Sequence, residues 1–263
     1  NSNRPPDTFA EFIDIGKKIK EKKLLGLVSG WGELWMIDCL ANNYAFNIMG
    51  KDKVIATIKG DMSYNDPEWI KVFALFKEMR DSGVLAEGVV TMVNKTAEQL
   101  FASGKAVFAF NGSWCLNVYK VMNPKLSYGV MLPPKASLAR PMSIWGGAGS
   151  SFMVNARSKN QEEAVKFLKW LTEKDQQVYL ADTTFNLPSN KEALSKIPSI
   201  LSEFADDVEY STHPNTWGVS EFPAVIETLD KGLQSIVIGE KTPEQVASEV
   251  QTVKERELAK KRR

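Results

Sequence analysis

The chain has 263 residues, 43% of them apolar and 25% charged, with 33 basic against 32 acidic side chains and a formal charge of +1. That balance gives no electrostatic ground for nucleic-acid binding, and no apolar run approaches the ~20 residues a membrane span needs. One histidine, His213, and two cysteines, Cys39 and Cys115, are too few and too scattered for a zinc site or a histidine-based catalytic set.

In chain order, Thr8-x-x-Glu11 is a capping box that opens a helix to about Lys22, with Phe9, Phe12, Ile13 and Ile19 on one face. Leu25 to Ser29 reads as a short strand and Leu34 to about Tyr44 as an apolar helix. Asp66 and Pro67 start the next helix, which turns Trp69, Val72, Phe73, Phe76 and Met79 inward and stops at Gly83. A short helix from Thr96 ends at Gly104, and Val107 to Phe110 has strand character. An Asn111-Gly112 turn then leads through Trp114 into another helix. Ser151 to Asn155 reads as a strand, and Asn160 caps a helix bearing Val165, Phe167, Leu168, Trp170 and Leu171. Ser220 opens a helix to Gly239, and Thr242 opens the last, whose basic end from Lys254 to Arg263 reads as a solvated, fraying terminus. Strands alternate with helices, so the class is α/β. Loops rich in Pro, Gly and Ser at 133–150 and 182–190 read as crossings between lobes.

Seven tryptophans carry the functional signal. Trp69 and Trp170 lie in helical register with other apolar residues and read as core. Trp31, Trp145 and Trp217 stand beside glycines in loops, and Trp114 follows the carboxyl end of a strand, where open α/β folds bind ligands. Trp35 completes the set. Aromatic rings on loops cost solubility unless they serve a binding surface. Rings suit the apolar face of a sugar, while carboxylates and amides suit its rim of hydroxyls. The polar candidates beside the rings are Glu33, Asp38, Asn111 and Glu221. Gly146 and Gly147 read as backbone that bends or comes close to a partner. Nothing points to a cofactor, a metal or a catalytic residue. Cys39 and Cys115 lie in apolar settings and read as buried free thiols.

An ordered series of segments then resembles one family. Pro5-Pro6-Asp7-Thr8-Phe9, Asn42-Asn43-Tyr44-Ala45-Phe46 and Gly104-Lys105-Ala106 with Asn111-Gly112-Ser113-Trp114 come first. Tyr128-Gly129-Val130, Trp145-Gly146-Gly147, Ser158-Lys159-Asn160 and Phe167-Leu168-Lys169-Trp170-Leu171 follow. In this order they are similar to bacterial extracellular solute-binding proteins, the sugar-capturing subunits of ABC importers. Pro223 stands where that family has an aromatic, a departure that bears on the kind of sugar.

The resemblance implies a type II periplasmic-binding-protein-like fold of two lobes, with most of the first lobe's N-terminal part lacking. Residues 1–147 and 196–263 would form the second lobe, and 148–195 the returning segment of the first. Trp114 would stack on the sugar. The implied function is carbohydrate binding without catalysis, with an ABC-transporter membrane permease as protein partner. The implied location is the outer face of the cytoplasmic membrane, as a lipoprotein, or the periplasm. The signal sequence is not in this chain. The incomplete lobe would expose apolar surface and favour self-association. The alternatives are a glycoside hydrolase, which would share the tryptophans but needs a spaced carboxyl pair, and a same-fold binder of a peptide or polyamine.

Overall fold

A computed structural model describes residues 4–146, 151–206, 211–212 and 218–261. Helix α1 (Phe9–Glu21) starts at the capping box, with Thr8 Oγ1 accepting from the Glu11 N–H and the Glu11 carboxylate accepting from the Thr8 N–H. Strand β1 (Leu25–Val28) follows, then a 3-10 turn at Trp31–Glu33 and helix α2 (Trp35–Met49). Apart from Trp35 and Asn42, every residue of α2 is buried, so it has no solvent face and runs through the middle of the core. Gly50 separates it from α3 (Lys51–Lys59), which the sequence reading missed. Helix α4 (Pro67–Ser82) has Asp66 as its N-cap and Gly83 in the left-handed conformation at its end.

Helix α5 (Asn94–Ala102) and strand β2 (Ala106–Ala109) precede α6 (Cys115–Met122). Strands β1 and β2 pair in parallel, with Leu25 opposite Ala106 and Val28 opposite Ala109. Residues Tyr128 to Pro133 are irregular. The side chain of Asn47, buried on α2, pins the stretch beyond them. Its Oδ1 accepts from the N–H groups of Ala136 and Ser137, and its amide donates to the carbonyls of Ser137 and Arg140. All four bonding positions of that amide are thereby filled.

This pinned segment leads into β3 (Ile144–Trp145), which pairs in parallel with β4 (Ser211–Thr212). Between these strands lie α7 (Gln161–Leu171), α8 (Lys174–Thr184) and α9 (Ser199–Asp206). The stretch expected as a crossing at 182–190 begins inside α8. The chain closes with α10 (Pro223–Ile238) and α11 (Pro243–Lys261).

The main core takes Phe12 from α1, most of α2, Trp69, Phe73 and Phe76 from α4, Leu229, Leu233 and Ile236 from α10, and Val246 and Val250 from α11. Three expectations for the later part of the chain fail. Ser151–Asn155 forms no strand, because among the described residues no neighbour offers it a ladder of hydrogen bonds. Trp170, read as core, is 46% exposed, since no residue of α7 is buried. Lys254, read as part of a solvated tail, is 1% exposed and belongs to the interior.

Candidate functional site

Because β1 and β2 run in parallel, their carboxyl ends open on the same side. The exit of β1 leads through the Trp31–Glu33 turn to Trp35, at the start of α2. The exit of β2 leads through Asn111 to Gly112 into Trp114, the N-cap of α6. Trp35 and Trp114 therefore meet, with ring centroids 5.9 Å apart and planes inclined at 43°. Each keeps almost half its surface in water, 44% and 45%. A β-carbon on Gly112 would lie 2.0 Å from the Trp114 ring, so this turn needs a glycine for the ring to fold over it.

Polar side chains fix the loops beneath this pair. The Asn111 amide donates to Asn94 Oδ1 at 3.1 Å and to Glu98 Oε1 at 3.2 Å. Glu33 Oε1 accepts from the Asn94 N–H at 2.8 Å, at the start of α5. Asn111 and Glu33, predicted to face a ligand, are tied into the protein; each fastens its own loop to α5.

Asp38 lies one turn beyond Trp35 on α2, on the same side of the helix. It lines a cavity of about 300 Å³, with Asn42, Tyr64, Trp69, Trp145, Ser220 and Glu221 among the other walls. The structure thus brings together three predicted residues, Asp38, Trp145 and Glu221. It adds Asn42, whose amide donates to the Asp38 carbonyl at 2.9 Å, and Tyr64, whose ring lies 4.9 Å from that of Trp69. The spacing from Asp38 to Asn42, one helical turn, was a usable signal. Tyr64 stands alone in a polar loop and carried none. Trp69 serves twice: it is buried in the core, bonds Thr57 Oγ1 through Nε1 at 2.9 Å, and closes one side of the cavity.

Burial raises the Asp38 carboxyl to about 7. Asp230 on α10 is raised to about 8 by burial and then by repulsion from Asp38. Its Oδ1 has no hydrogen-bond partner among the described residues. Two buried carboxyls that repel one another hold a proton near neutrality. Asp38 can therefore donate or accept a hydrogen bond at the cavity wall, according to pH.

Other predicted residues stand elsewhere. Trp31 is 0% exposed and packs on Phe76, ring centroids 5.8 Å apart. Its flanking glycines allow close packing, not loop motion. A β-carbon on Gly30 would meet Asn94 Cα at 2.9 Å, and one on Gly32 would meet the Met92 carbonyl at 2.8 Å. A ring with no exposed surface offers a ligand nothing, so Trp31 is a core residue. Glu221 lines the cavity, but its oxygens are taken by Tyr64 and Lys254. Around Gly146 a β-carbon would meet only ordinary contacts, so no close approach requires that glycine. Gly147, Trp217 and His213 lie outside the described residues. Cys39 and Cys115 are buried and free, and burial raises both thiols. Among the described residues no group of side chains could hold a metal ion, and no helix is long and apolar enough to cross a membrane.

Residues 2–212 match the family of bacterial extracellular solute-binding proteins. The chain belongs to that family. Its fold is that of the type II periplasmic-binding proteins. This solute-binding chain is 25% identical over 261 residues to a maltooligosaccharide ABC transporter solute-binding lipoprotein of Streptococcus pneumoniae, covering 94% of the chain and 59% of that protein. It is 24% identical over 260 residues to the sn-glycerol-3-phosphate-binding periplasmic protein of Escherichia coli K12, covering 92% of the chain and 58% of that protein. Among solved structures it superposes on a chitin oligosaccharide binding protein with a TM-score of 0.82 at 22% identity, covering 96% of the chain and 64% of the other. A maltose/maltodextrin-binding domain from Bdellovibrio bacteriovorus bound to maltotriose gives 0.72 at 23% identity, covering 98% and 68%. The chain thus spans somewhat under three fifths of the length of these curated relatives. Members of the family are binding proteins rather than enzymes, and relatives are named as periplasmic or as lipoproteins.

Proposed function

We propose that this chain captures an oligosaccharide outside the cytoplasmic membrane and presents it to the membrane permease of an ABC transporter, without chemistry on the sugar. The observation that carries this reading is the half-exposed Trp35–Trp114 pair at the carboxyl ends of two parallel strands, next to a cavity walled by Asp38, Tyr64 and Trp145. Indole faces cover the C–H side of a pyranose, and the carboxyl, amide and phenol groups nearby meet its hydroxyls. Relatives named for maltooligosaccharide and chitin oligosaccharide support a sugar as the solute.

We further infer that 1–147 and 196–263 form one lobe and that 148–195 belongs to the other. The main core supports this division, because its buried members come from Phe9 to Val89, Met142 and Val225 to Val250 and none from 148–195. The chain would then cross between the lobes near 147–148 and 195–196, and closure of the two lobes would shut the sugar in.

Calorimetric titration with maltotriose, chitotriose and xylotriose tests the function. Saturable binding of one of them, with no new sugar in the mixture afterwards, is the expected result. Release of shorter sugars would replace the reading with a hydrolase. Binding of none of the three, with sn-glycerol 3-phosphate bound instead, would make the solute a phosphate ester.

A further inference from the structure

Lys254 stands in the chain's most charged stretch, yet its side chain is 1% exposed. Its ammonium donates to both oxygens of Glu221, at 2.6 and 2.8 Å, and to the carbonyl of Ile58 at 2.5 Å. An ammonium has three donors and no acceptor. Three donors meet three acceptor atoms, so the charge is fully bonded inside the protein. It also lies 5.1 Å from the centre of the Phe222 ring, a further favourable contact for a cation.

The groups that Lys254 gathers come from separate parts of the chain. Ile58 belongs to α3. Glu221 belongs to the segment between β4 and α10. Tyr64, in the loop before α4, joins them by donating its hydroxyl to Glu221 Oε2 at 2.9 Å. Gln251, three residues before Lys254 on the same helix, accepts the Tyr64 N–H at 2.9 Å. Ile58, Tyr64 and Glu221 all line the 300 Å³ cavity, whereas no residue of α11 does.

A buried ion pair is a poor way to gain stability, because desolvating two charges offsets most of their attraction. Apolar residues of similar volume would serve a core at least as well. What directed hydrogen bonds supply, and apolar packing does not, is a fixed geometry among the groups they join.

We propose that Lys254 is a positioning residue for the ligand cavity: from outside the cavity it fastens three of its walls, at Ile58, Tyr64 and Glu221, to one point on α11. It touches no ligand. Glu221 correspondingly serves the site as an anchor, with its carboxylate turned to Lys254 and Tyr64. This rests on the reading that the cavity receives the solute.

The test separates position from stability. Lys254→Met alone would leave the Glu221 charge buried without a counter-charge and is expected to unfold readily. Lys254→Met combined with Glu221→Gln removes both charges and keeps an acceptor for the Tyr64 hydroxyl. The double variant should keep its urea midpoint close to that of the parent. Its backbone hydrogen exchange should rise about tenfold at 58–64 and 218–222, the scale on which members of one bonded network couple, and stay unchanged in α1 and α4. Its affinity for maltotriose should fall by a similar factor. Unchanged exchange in both wall segments would overturn the proposal. Raised exchange in the double variant, with no maltotriose bound by the parent, would leave the positioning role standing and sink the maltooligosaccharide reading. Should the double variant fail to fold, Tyr64→Phe decides. It deletes one hydroxyl, and it should raise exchange at 218–222; no rise there would overturn the proposal.

Discussion

Helices α4 and α7 are both written as amphipathic helices with aromatic residues on one side, yet they meet opposite fates. On α4 the apolar stripe of Trp69, Val72, Phe73, Phe76 and Met79 is buried against α2, α10 and α11. On α7 the stripe of Val165, Phe167 and Trp170 stands between 42% and 55% exposed, and Phe167 and Trp170 pack on one another, with ring centroids 5.7 Å apart. A pattern of apolar positions states which face seeks cover; it does not supply the cover. For α4 the cover is brought by α10 and α11, more than 140 residues further along the chain.

The sharpest way to break the comparison is to cut an aromatic from each side. Trp31→Ala or Phe76→Ala should cost about 3–5 kcal/mol, since each removes a fully buried ring. Phe167→Ala should stay within about 1 kcal/mol, because little is buried there to lose. Urea unfolding measures both. A loss at Phe167 equal to that at Phe76 would mean that α7 is covered in solution.

The next effect concerns charge in the well-packed region. Asp38 and Asp230 have raised pKa values in the folded protein, about 7 and about 8, through burial of both and, at Asp230, repulsion from Asp38 after it. Both are protonated in the folded and the unfolded chain below about pH 4, and folding is unimpeded there. As pH rises the unfolded carboxyls ionise first, so the pair's support for folding declines from about pH 4 and is lost by about pH 8. Other groups add their own dependence. The Asp38 share between these limits, about 2 kcal/mol for a carboxyl at about 7, is read by comparing the parent with Asp38→Asn at pH 5.5 and 8.5. The variant should lose less stability across that interval. Parallel pH profiles would show that the Asp38 carboxyl is not raised in the folded protein.

Trp114 tests the same contrast at the candidate site. Trp114→Ala should remove roughly 100 Å² of apolar contact with a sugar, about 2.5 kcal/mol, or ~50- to 100-fold in affinity. The fold should hold, since the ring is 45% exposed. An unchanged titration with the sugar that binds the parent would move the site away from the pair.

The smallest effect concerns self-association through the exposed face of α7. A second copy of the chain can cover Phe152, Met153 and Phe167, each more than half exposed. Light scattering should show weak, concentration-dependent association that Phe167→Asp abolishes. Association unaffected by that change would assign it to another face.

Much of this was legible beforehand where the cause is local. The capping box at Thr8 and Glu11, the Asp66 and Pro67 start of α4 and the glycine stop at Gly83 are written within a few residues. So was the position of Trp114 just past a strand, which the structure keeps. The misreadings share one origin. Trp31 and Trp145 both sit beside glycines, yet one is sealed against Phe76 and the other lines a cavity. Lys254 sits among charges, yet ends buried on Glu221 because α10 and α11 pack together over α4. Sequence alone determined the class of fold, the family, the caps and turns, and which faces are apolar, because backbone preference and hydrophobic period act over a turn or two of chain. Tertiary structure alone decided which tryptophans meet water, which carboxylates are spent on the protein and which hold a proton near neutrality. Burial and ion pairing depend on what distant segments bring to the same place.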